Sequence, residues 1–206
     1  MFADLDKSLK NILANEMPKD YFSPRNTLLS IYFCMPLDED IKEKPALNLF
    51  LYDVRENLEL RSSKWSVERY KNQDGTNPVS VKKPPPTMVD CSYFITSWFA
   101  KTSDDFPQQE HQLLGEVMKV LLRFPEIPEQ YLHGSLKELD LPVRAACLRP
   151  LPTQSLGEFW QAMGGKPKAM LNYTVTIPVP IEDREVEFPL VLESTFHLQQ
   201  QNSPGG

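Results

Sequence analysis

The chain has 206 residues, of which 41% are hydrophobic and 24% are charged, and its formal net charge is -6. This length suits one packed domain, and a mildly acidic chain is a poor general binder of nucleic acid. No apolar run approaches the ~20 residues of a membrane helix, and the amphipathic N terminus does not read as a signal peptide. Cys34, Cys91 and Cys147 stand far apart in apolar contexts, which predicts reduced thiols in a cytoplasmic protein.

The first third of the chain predicts a helix followed by strands. Residues 2–13 carry apolar side chains at helical spacing, and Pro18 ends this helix. Residues 26–35 predict a strand, and an acidic loop follows at 38–44. The stretch PALNLFLYDVREN, residues 45–57, predicts a central strand because both faces are apolar as far as Tyr52. Its alternation predicts one face with Leu47, Leu49 and Leu51, and another with Asn48, Phe50, Tyr52 and Val54.

A polar hairpin is predicted over residues 64–83, with its turn at Asp74–Gly75 and three prolines after it. Four acids and seven bases occur between residues 55 and 83, so this stretch is net basic within an acidic protein. The seven bases are Arg55, Arg61, Lys64, Arg69, Lys71, Lys82 and Lys83.

The remaining core predicts further strands around a second large helix. Residues 87–101 form a long predicted strand with Asp90 near its start. The helix covers 104–122, with Asp104 or Asp105 as its cap. Strands near 141–150 and 169–180 flank a short helix capped by Ser155. The fold class is therefore α+β, a mixed or antiparallel sheet of about five to seven strands flanked by two main helices.

The composition changes after Pro180. Residues 181–206 carry five acids and one arginine, have a β-prone middle, and end in Gln, Ser, Pro and Gly. This predicts a core domain over 1–180 and an acidic C-terminal arm over 181–206 whose last residues are disordered.

Sequence motifs for phosphate binding or nucleophilic catalysis are absent, and the three histidines are isolated from one another. We therefore predict no enzymatic activity, no cofactor and no metal site. Asp90 is the catalytic candidate that remains, as a general base in a pocket floored by its strand. A polar strand face, or pairing with a nearby arginine, is the more common role for such a residue.

Several stretches, taken in order, resemble one known family: the cap, or tail-terminator, proteins of contractile injection systems, which are phage tail-like particles. The resemblance covers nearly all of residues 1–180, and NLFLYDVREN with VDCSYFITSW is its most specific part. The stretches are MFADLDKSLKNIL, PALNLFLYDVRENLELR, PPPTMVDCSYFITSWF, EHQLLGEVMKVLLRFP and LNYTVTIPV.

The resemblance implies a phage tail-terminator-like fold and a structural role. Such proteins form six-fold rings that terminate the inner tube and hold the last sheath layer. The implied partners are further copies of the chain, as a hexamer, the inner tube protein and the sheath protein, without nucleic acid or membrane insertion. The implied location is the bacterial cytoplasm, within an assembled particle. Two alternatives remain: a soluble ligand-binding or enzymatic domain that uses the Asp90 face, and the same assembly role at the baseplate.

Two sets of residues are candidates for contacts. We expect the strand after Tyr52 to emerge into a ring contact, although a strand end with exposed charges fits the pattern equally well. The subunit or tube candidates are Asp53, Arg55, Glu56, Asn57, Arg61, Arg69, Lys82 and Lys83. The arm is expected to add a strand to a sheath subunit. Its candidates are Val186, Phe188, Leu190, Val191, Leu192 and Phe196.

Overall fold

The structure is a computed structural model that describes residues 1–21, 29–71, 78–101, 105–150, 156–162, 164, 166–181 and 186–189. The chain divides into two compact units. The first comprises residues 1–61 and 87–179, and the second comprises residues 62–86 with the chain from 180 onwards. The expected hairpin turn, the caps at Asp104 and Ser155, and the predicted disordered end lie outside the described residues.

The elements follow the predicted order closely. They are α1 (Phe2–Glu16), β1 (Ser30–Tyr32), β2 (Ala46–Glu56), β3 (Ser66–Lys71), β4 (Pro78–Lys83), β5 (Thr87–Trp98), α2 (Phe106–Leu122), β6 (Arg144–Cys147), α3 (Leu156–Ala162), β7 (Leu171–Val179) and β8 (Val186–Pro189). Short 3-10 turns connect several of them.

The first unit is built on a five-stranded sheet with the strand order β1-β2-β5-β7-β6. β1 lies parallel to β2 and the other neighbours are antiparallel, so the sheet is mixed. The apolar stripes of α1 and α2 share one buried core with the alternate residues of the central strands, including Leu47, Tyr93 and Val175. The predicted α+β fold with two main helices is confirmed.

β2 contains a bulge that the alternating pattern did not reveal. Leu51 pairs with Tyr93, but Asp53 pairs with Ser92, so Tyr52 is an extra residue. A bulge moves every following side chain to the opposite face. Val54 therefore lies opposite Cys91, on the helix-covered face, and the prediction that it shares a face with Phe50 is wrong.

The second unit contains a three-stranded antiparallel sheet in the order β3-β4-β8. β3 and β4 are the predicted hairpin, with Ser66 opposite Lys83. β8 lies in the predicted arm, and it pairs with β4 from Val79 to Lys82. The hairpin and the start of the arm therefore belong to one sheet.

Two buried tyrosines on neighbouring strands differ in their hydrogen bonding. Tyr93 and Tyr173 lie opposite each other, and both are fully buried. The Tyr93 hydroxyl donates to Asp6 Oδ1 on α1 at 2.9 Å. The Tyr173 hydroxyl is buried without a hydrogen-bond partner among the described residues. Burial raises the pKa of both phenols, so both remain neutral at physiological pH.

We predict that Tyr93→Phe lowers the free energy of unfolding by about 1–2 kcal/mol, because it leaves the half-buried Asp6 carboxylate without its donor. Tyr173→Phe is the matched control and should be neutral or stabilising, because it removes a hydroxyl that gains no bond on burial. Urea unfolding of both variants measures the difference. Equal losses for the two variants would contradict the assignment.

Asp6 also predicts a pH dependence. Burial raises the pKa of Asp6 above its usual 3.8, and the Tyr93 hydrogen bond only partly offsets this. The folded state therefore holds the proton to higher pH than the unfolded state, so this group's contribution to stability falls as pH rises from about 3.8 through the folded pKa. Asp6→Asn keeps an acceptor for Tyr93 and should remove that fall. Unfolding curves across this pH range would show it, and an unchanged profile would contradict it.

Candidate interaction surfaces

The end of β2 carries charged candidates that are paired within their own chain. Arg55 forms an ion pair with Asp53, two residues away. Arg61 makes a two-point contact with Glu56, with nitrogen–oxygen distances of 2.7 and 2.6 Å. This hydrogen-bonded pairing lowers the pKa of Glu56 and raises that of Arg61. The structure thus brings four of the predicted contact residues together, with their charges locally balanced.

Asn57 has a different environment from its charged neighbours, because it is buried. Its Nδ2 donates to both carboxylate oxygens of Asp90 at 3.1 Å. Its Oδ1 accepts from the Leu60 N–H at 3.1 Å, which caps the 3-10 turn Leu58–Leu60. Asn57 therefore fixes the direction of the chain after β2 and is a positioning residue rather than an exposed contact.

The Asp90 carboxylate is the centre of a buried polar cluster. It is only 8% exposed. Besides the Asn57 bonds, it accepts from Thr176 Oγ1 at 2.6 Å and lies 3.4 Å from an Arg149 nitrogen. Leu148, with a left-handed φ of 63°, turns the chain immediately before Arg149. Asp90 thus pairs with an arginine, which is one of the two common roles expected for it, and its oxygens accept hydrogen bonds from other groups of the chain.

We predict that Asn57→Ala destabilises the protein by about 2 kcal/mol, because it removes two donors from a buried carboxylate and the cap of a turn. Asn15→Ala is the matched control, since the exposed Asn15 side chain bonds to Asn11 on its own helix. It should change the unfolding free energy by less than about 0.5 kcal/mol. Thermal or urea unfolding measures both. A cost for Asn57→Ala no larger than the control would refute the positioning role.

Exposed apolar side chains lie beside the ion pairs and were missed at the sequence level. Val54, Leu58 and Leu60 are 43%, 67% and 38% exposed. Leu58 and Leu60 alternate with acids in the sequence ENLELR, a pattern that looks like a continuing strand. The strand ends at Glu56, and Asn57 caps a 3-10 turn there, so both leucines stay at the surface. The surface at the end of β2 therefore combines exposed apolar side chains with charges that are paired within the chain.

A cleft of about 880 Å³ lies at the other end of β5, around Trp98. Lys168 Nζ lies 4.2 Å from the Trp98 ring centroid and 2.6 Å from Glu110 Oε1. Burial lowers the pKa of Lys168, and Glu110 opposes that effect. Lys44 and Lys101 both pair with Asp38 at the cleft. These cations are thus matched by acids of the same unit, and the cleft does not include Asp90.

The remaining candidates belong to the second unit or lie outside the described chain. Arg69 is in β3, opposite Ser80, and Lys82 and Lys83 are in β4, where both interact with other groups of the chain. Val186 and Phe188 are in β8, which already pairs with β4. The last four arm candidates, Leu190, Val191, Leu192 and Phe196, are not among the described residues.

Within the described part of the chain, no group of His, Cys, Asp and Glu residues is arranged to hold a metal ion. The helices described there are too short or too polar to cross a membrane. The three cysteines are free, and burial raises the pKa of the Cys91 thiol to about 12, which keeps it protonated and unreactive.

Comparison with known proteins identifies the family. One similar solved structure is the sheath/tube terminator, in the extended state, of PVC, an extracellular contractile injection system. It has a TM-score of 0.62 and 24% identity over 98% of this chain and 65% of that chain. Another is the tube-terminating cap of the anti-feeding prophage, with a TM-score of 0.59 and 22% identity over 96% of this chain and 62% of that chain.

These likenesses establish a shared fold, and this chain spans less than two thirds of either protein's length. No curated protein sequence matches the chain significantly. The model of the Pvc16 N-terminal domain family matches residues 4–194, which is nearly the whole chain and confirms the resemblance predicted from the sequence. The chain belongs to the Pvc16 N-terminal domain family.

Proposed function

We propose that this chain is a structural cap of a contractile injection system, which terminates the inner tube and anchors the distal end of the sheath. The family match over residues 4–194 carries the proposal. The two similar structures are a sheath/tube terminator and a tube-terminating cap, which supports the same role. The protein acts without catalysis, is made in the bacterial cytoplasm, and works within the assembled particle.

The physical requirement for a cap explains why a ring is part of the proposal. A tube of identical subunits stacked head to tail always exposes a fresh copy of its own interface, so it has no intrinsic end. A terminator must match the tube end on one face and offer no such site on the other. We propose a hexameric ring, because a ring of copies can cover a whole tube end at once. Its partners are the inner tube protein, the sheath protein and further copies of this chain.

The ring contact is proposed at the end of β2, where Asp53, Arg55, Glu56 and Arg61 lie beside Val54 and Leu58. The charges there are paired within the chain, so they fix register between neighbours rather than supplying most of the affinity. Assembly buries the exposed apolar side chains and removes their surface from water. Arg69, Lys82 and Lys83 of the second unit remain candidates for contact with the tube.

We predict that exchanging the charges of one pair, with Glu56→Arg and Arg61→Glu together, impairs ring assembly on tube ends without unfolding the protein. The exchange keeps the ion pair within the chain but inverts the pattern shown to a neighbour. Negative-stain counts of capped tube ends measure assembly, and circular dichroism checks the fold. Glu116→Lys with Lys119→Glu, which exchanges the charges of an ion pair on the surface of α2, is the matched control, because it too leaves the net charge unchanged. Capping equal to wild type would remove this surface from the ring contact.

The arm prediction can be sharpened because β8 belongs to the sheet of the second unit. Deleting residues 181–206 would remove a strand as well as the arm, so a chain that ends at Pro189 is the cleaner variant. We predict that it caps tubes normally but releases sheath, because residues 190–196 are proposed to add a strand to a sheath subunit. Sheath retention after purification of the particles measures this. Full retention by the shortened chain would place sheath anchoring elsewhere.

A further inference from the structure

A ring of identical copies needs two different surfaces on each copy, because every copy contacts a neighbour on either side. The ring contact proposed at the end of β2 supplies one of them. Leu58 and Leu60 are exposed there, and the exposed Glu59 lies between them in the sequence. In the described part of the chain, the Glu59 carboxylate has no ion pair or hydrogen bond, unlike the carboxylate of Glu56. The matching surface should therefore offer a base and apolar area.

The two ends of β6 offer both, and we call Arg144 and Leu148 the β6 surface. Leu148 directly follows the strand and is 51% exposed. Arg144 begins the strand and is exposed, and the structure describes no ion pair or hydrogen bond for its guanidinium. Glu126 lies opposite Arg144 in an isolated bridge but forms no described ion pair with it. The β6 surface thus complements the surface around Glu59.

The backbone at Leu148 is strained but held in place. Its φ of 63° lies in the left-handed region, which is unfavourable for a large side chain. The Leu148 N–H donates to the Asn172 carbonyl at 2.8 Å, and Asn172 Nδ2 donates to the Arg149 carbonyl at 2.9 Å. A glycine would adopt this conformation without strain. An exposed leucine adds little core packing to offset the strain, so its side chain points to a contact outside the chain.

One carboxylate connects the two surfaces. Asp90 accepts a hydrogen bond at 3.1 Å from Asn57, which caps the turn after β2. Asp90 also pairs at 3.4 Å with Arg149, the residue after Leu148. A closed ring needs the same angle between the two contacts of every copy. A rigid connection between the two surfaces therefore favours a ring of one size.

The two surfaces also lie at the same height on the sheet. In the strand order, β5 and β7 separate β2 from β6. A row of paired residues crosses these four strands through Arg55, Asp90, Thr176 and Arg144. At ~4.8 Å per strand, the row is about 14 Å long. With the ring axis along the strands, contacts at one height close a flat ring, whereas contacts at different heights would produce a helix.

We propose that each ring interface joins the β6 surface of one copy to the end of β2 of the next copy. Arg144 faces Glu59 of the neighbour, and Leu148 packs against the exposed apolar side chains there. This inference rests on the proposed function, because it assigns the second surface of the proposed ring. The opposite charges fix the register of the contact, and the apolar side chains are removed from water.

The charge pair is tested with the full chain and the inner tube protein, by counting six-fold rings and capped tube ends in negative stain. Glu59→Arg puts bases on both surfaces, and Arg144→Glu puts acids on both. Each variant alone should reduce the capped ends at limiting concentration by about fivefold or more. The double variant should cap as wild type does. Lys10→Glu reverses an exposed base on α1 and is the control for Arg144→Glu, with capping unchanged.

A mixture of the two single variants gives a more specific readout. Each variant repels its own copies but matches the other variant on both sides. The mixture should therefore cap tubes with rings in which the two variants alternate, since a hexamer has an even number of places. Native mass spectrometry should find equal numbers of the two variants in each ring. Rings of one variant alone, or of random composition, would overturn the pairing of Glu59 with Arg144.

Leu148→Gly separates a contact role from a structural one. It relieves the left-handed strain, so the melting temperature should stay the same or rise. Ring assembly should nevertheless fall, because the apolar contact is lost. Leu122→Ala is the matched control, since Leu122 is 53% exposed at the end of α2, and it should leave capping unchanged. A lower melting temperature with normal capping would assign Leu148 to the fold and overturn its contact.

Failure of this contact and failure of the proposed function give different results. If wild type caps tubes as rings and both single charge variants cap equally well, only the assignment of the second surface is overturned. The same holds if the double variant does not recover capping. If wild type neither forms rings nor caps tube ends, the proposed function is overturned and the contact with it.

Discussion

The buried Asp90 carboxylate is the constraint on which the candidate contact surface depends. A carboxylate that is mostly removed from water needs hydrogen-bond donors, and it finds them on three parts of the chain: Asn57 after β2, Thr176 on β7 and Arg149 after β6. Each donor is held where the carboxylate needs it. The position of the stretch after β2 is thereby coupled to the centre of the sheet, and Leu58 and Leu60 are presented on a fixed backbone.

This coupling suits the proposed role in assembly. A contact surface on a mobile segment would lose part of its binding free energy to ordering on association. Here a short turn capped by Asn57 carries the exposed leucines, and two ion pairs within the chain hold the neighbouring arginines in place. The surface therefore offers apolar area and balanced charge in a preformed arrangement.

The fold was predictable where the sequence has a strong period. The apolar stripes of α1 and α2 repeat at helical spacing, and the long strand predicted over residues 87–101 is observed as β5 over Thr87–Trp98. The bulge at Tyr52 was not predictable, because one extra residue does not change the apolar composition from which the strand was predicted. It decides that Val54 lies on the helix-covered side.

The candidate site was predicted only in part, because its pairings are set by the three-dimensional arrangement. The sequence predicted that Asp53 to Arg61 lie at the end of β2. Nothing in the local pattern distinguished Asn57 from its charged neighbours. Its partner Asp90 is 33 residues away in sequence. The pairing of β8 with β4 likewise joins segments that are distant in the chain. No local pattern reports such contacts.

The most direct test of the central claim is the length of inner tubes assembled with and without this protein. Tube subunits from the same particle would be polymerised alone and with increasing amounts of the full chain, then measured by negative-stain microscopy. A cap should shorten the tubes as its amount rises and appear as extra density at one end. Unchanged tube lengths with bare ends would contradict the cap assignment.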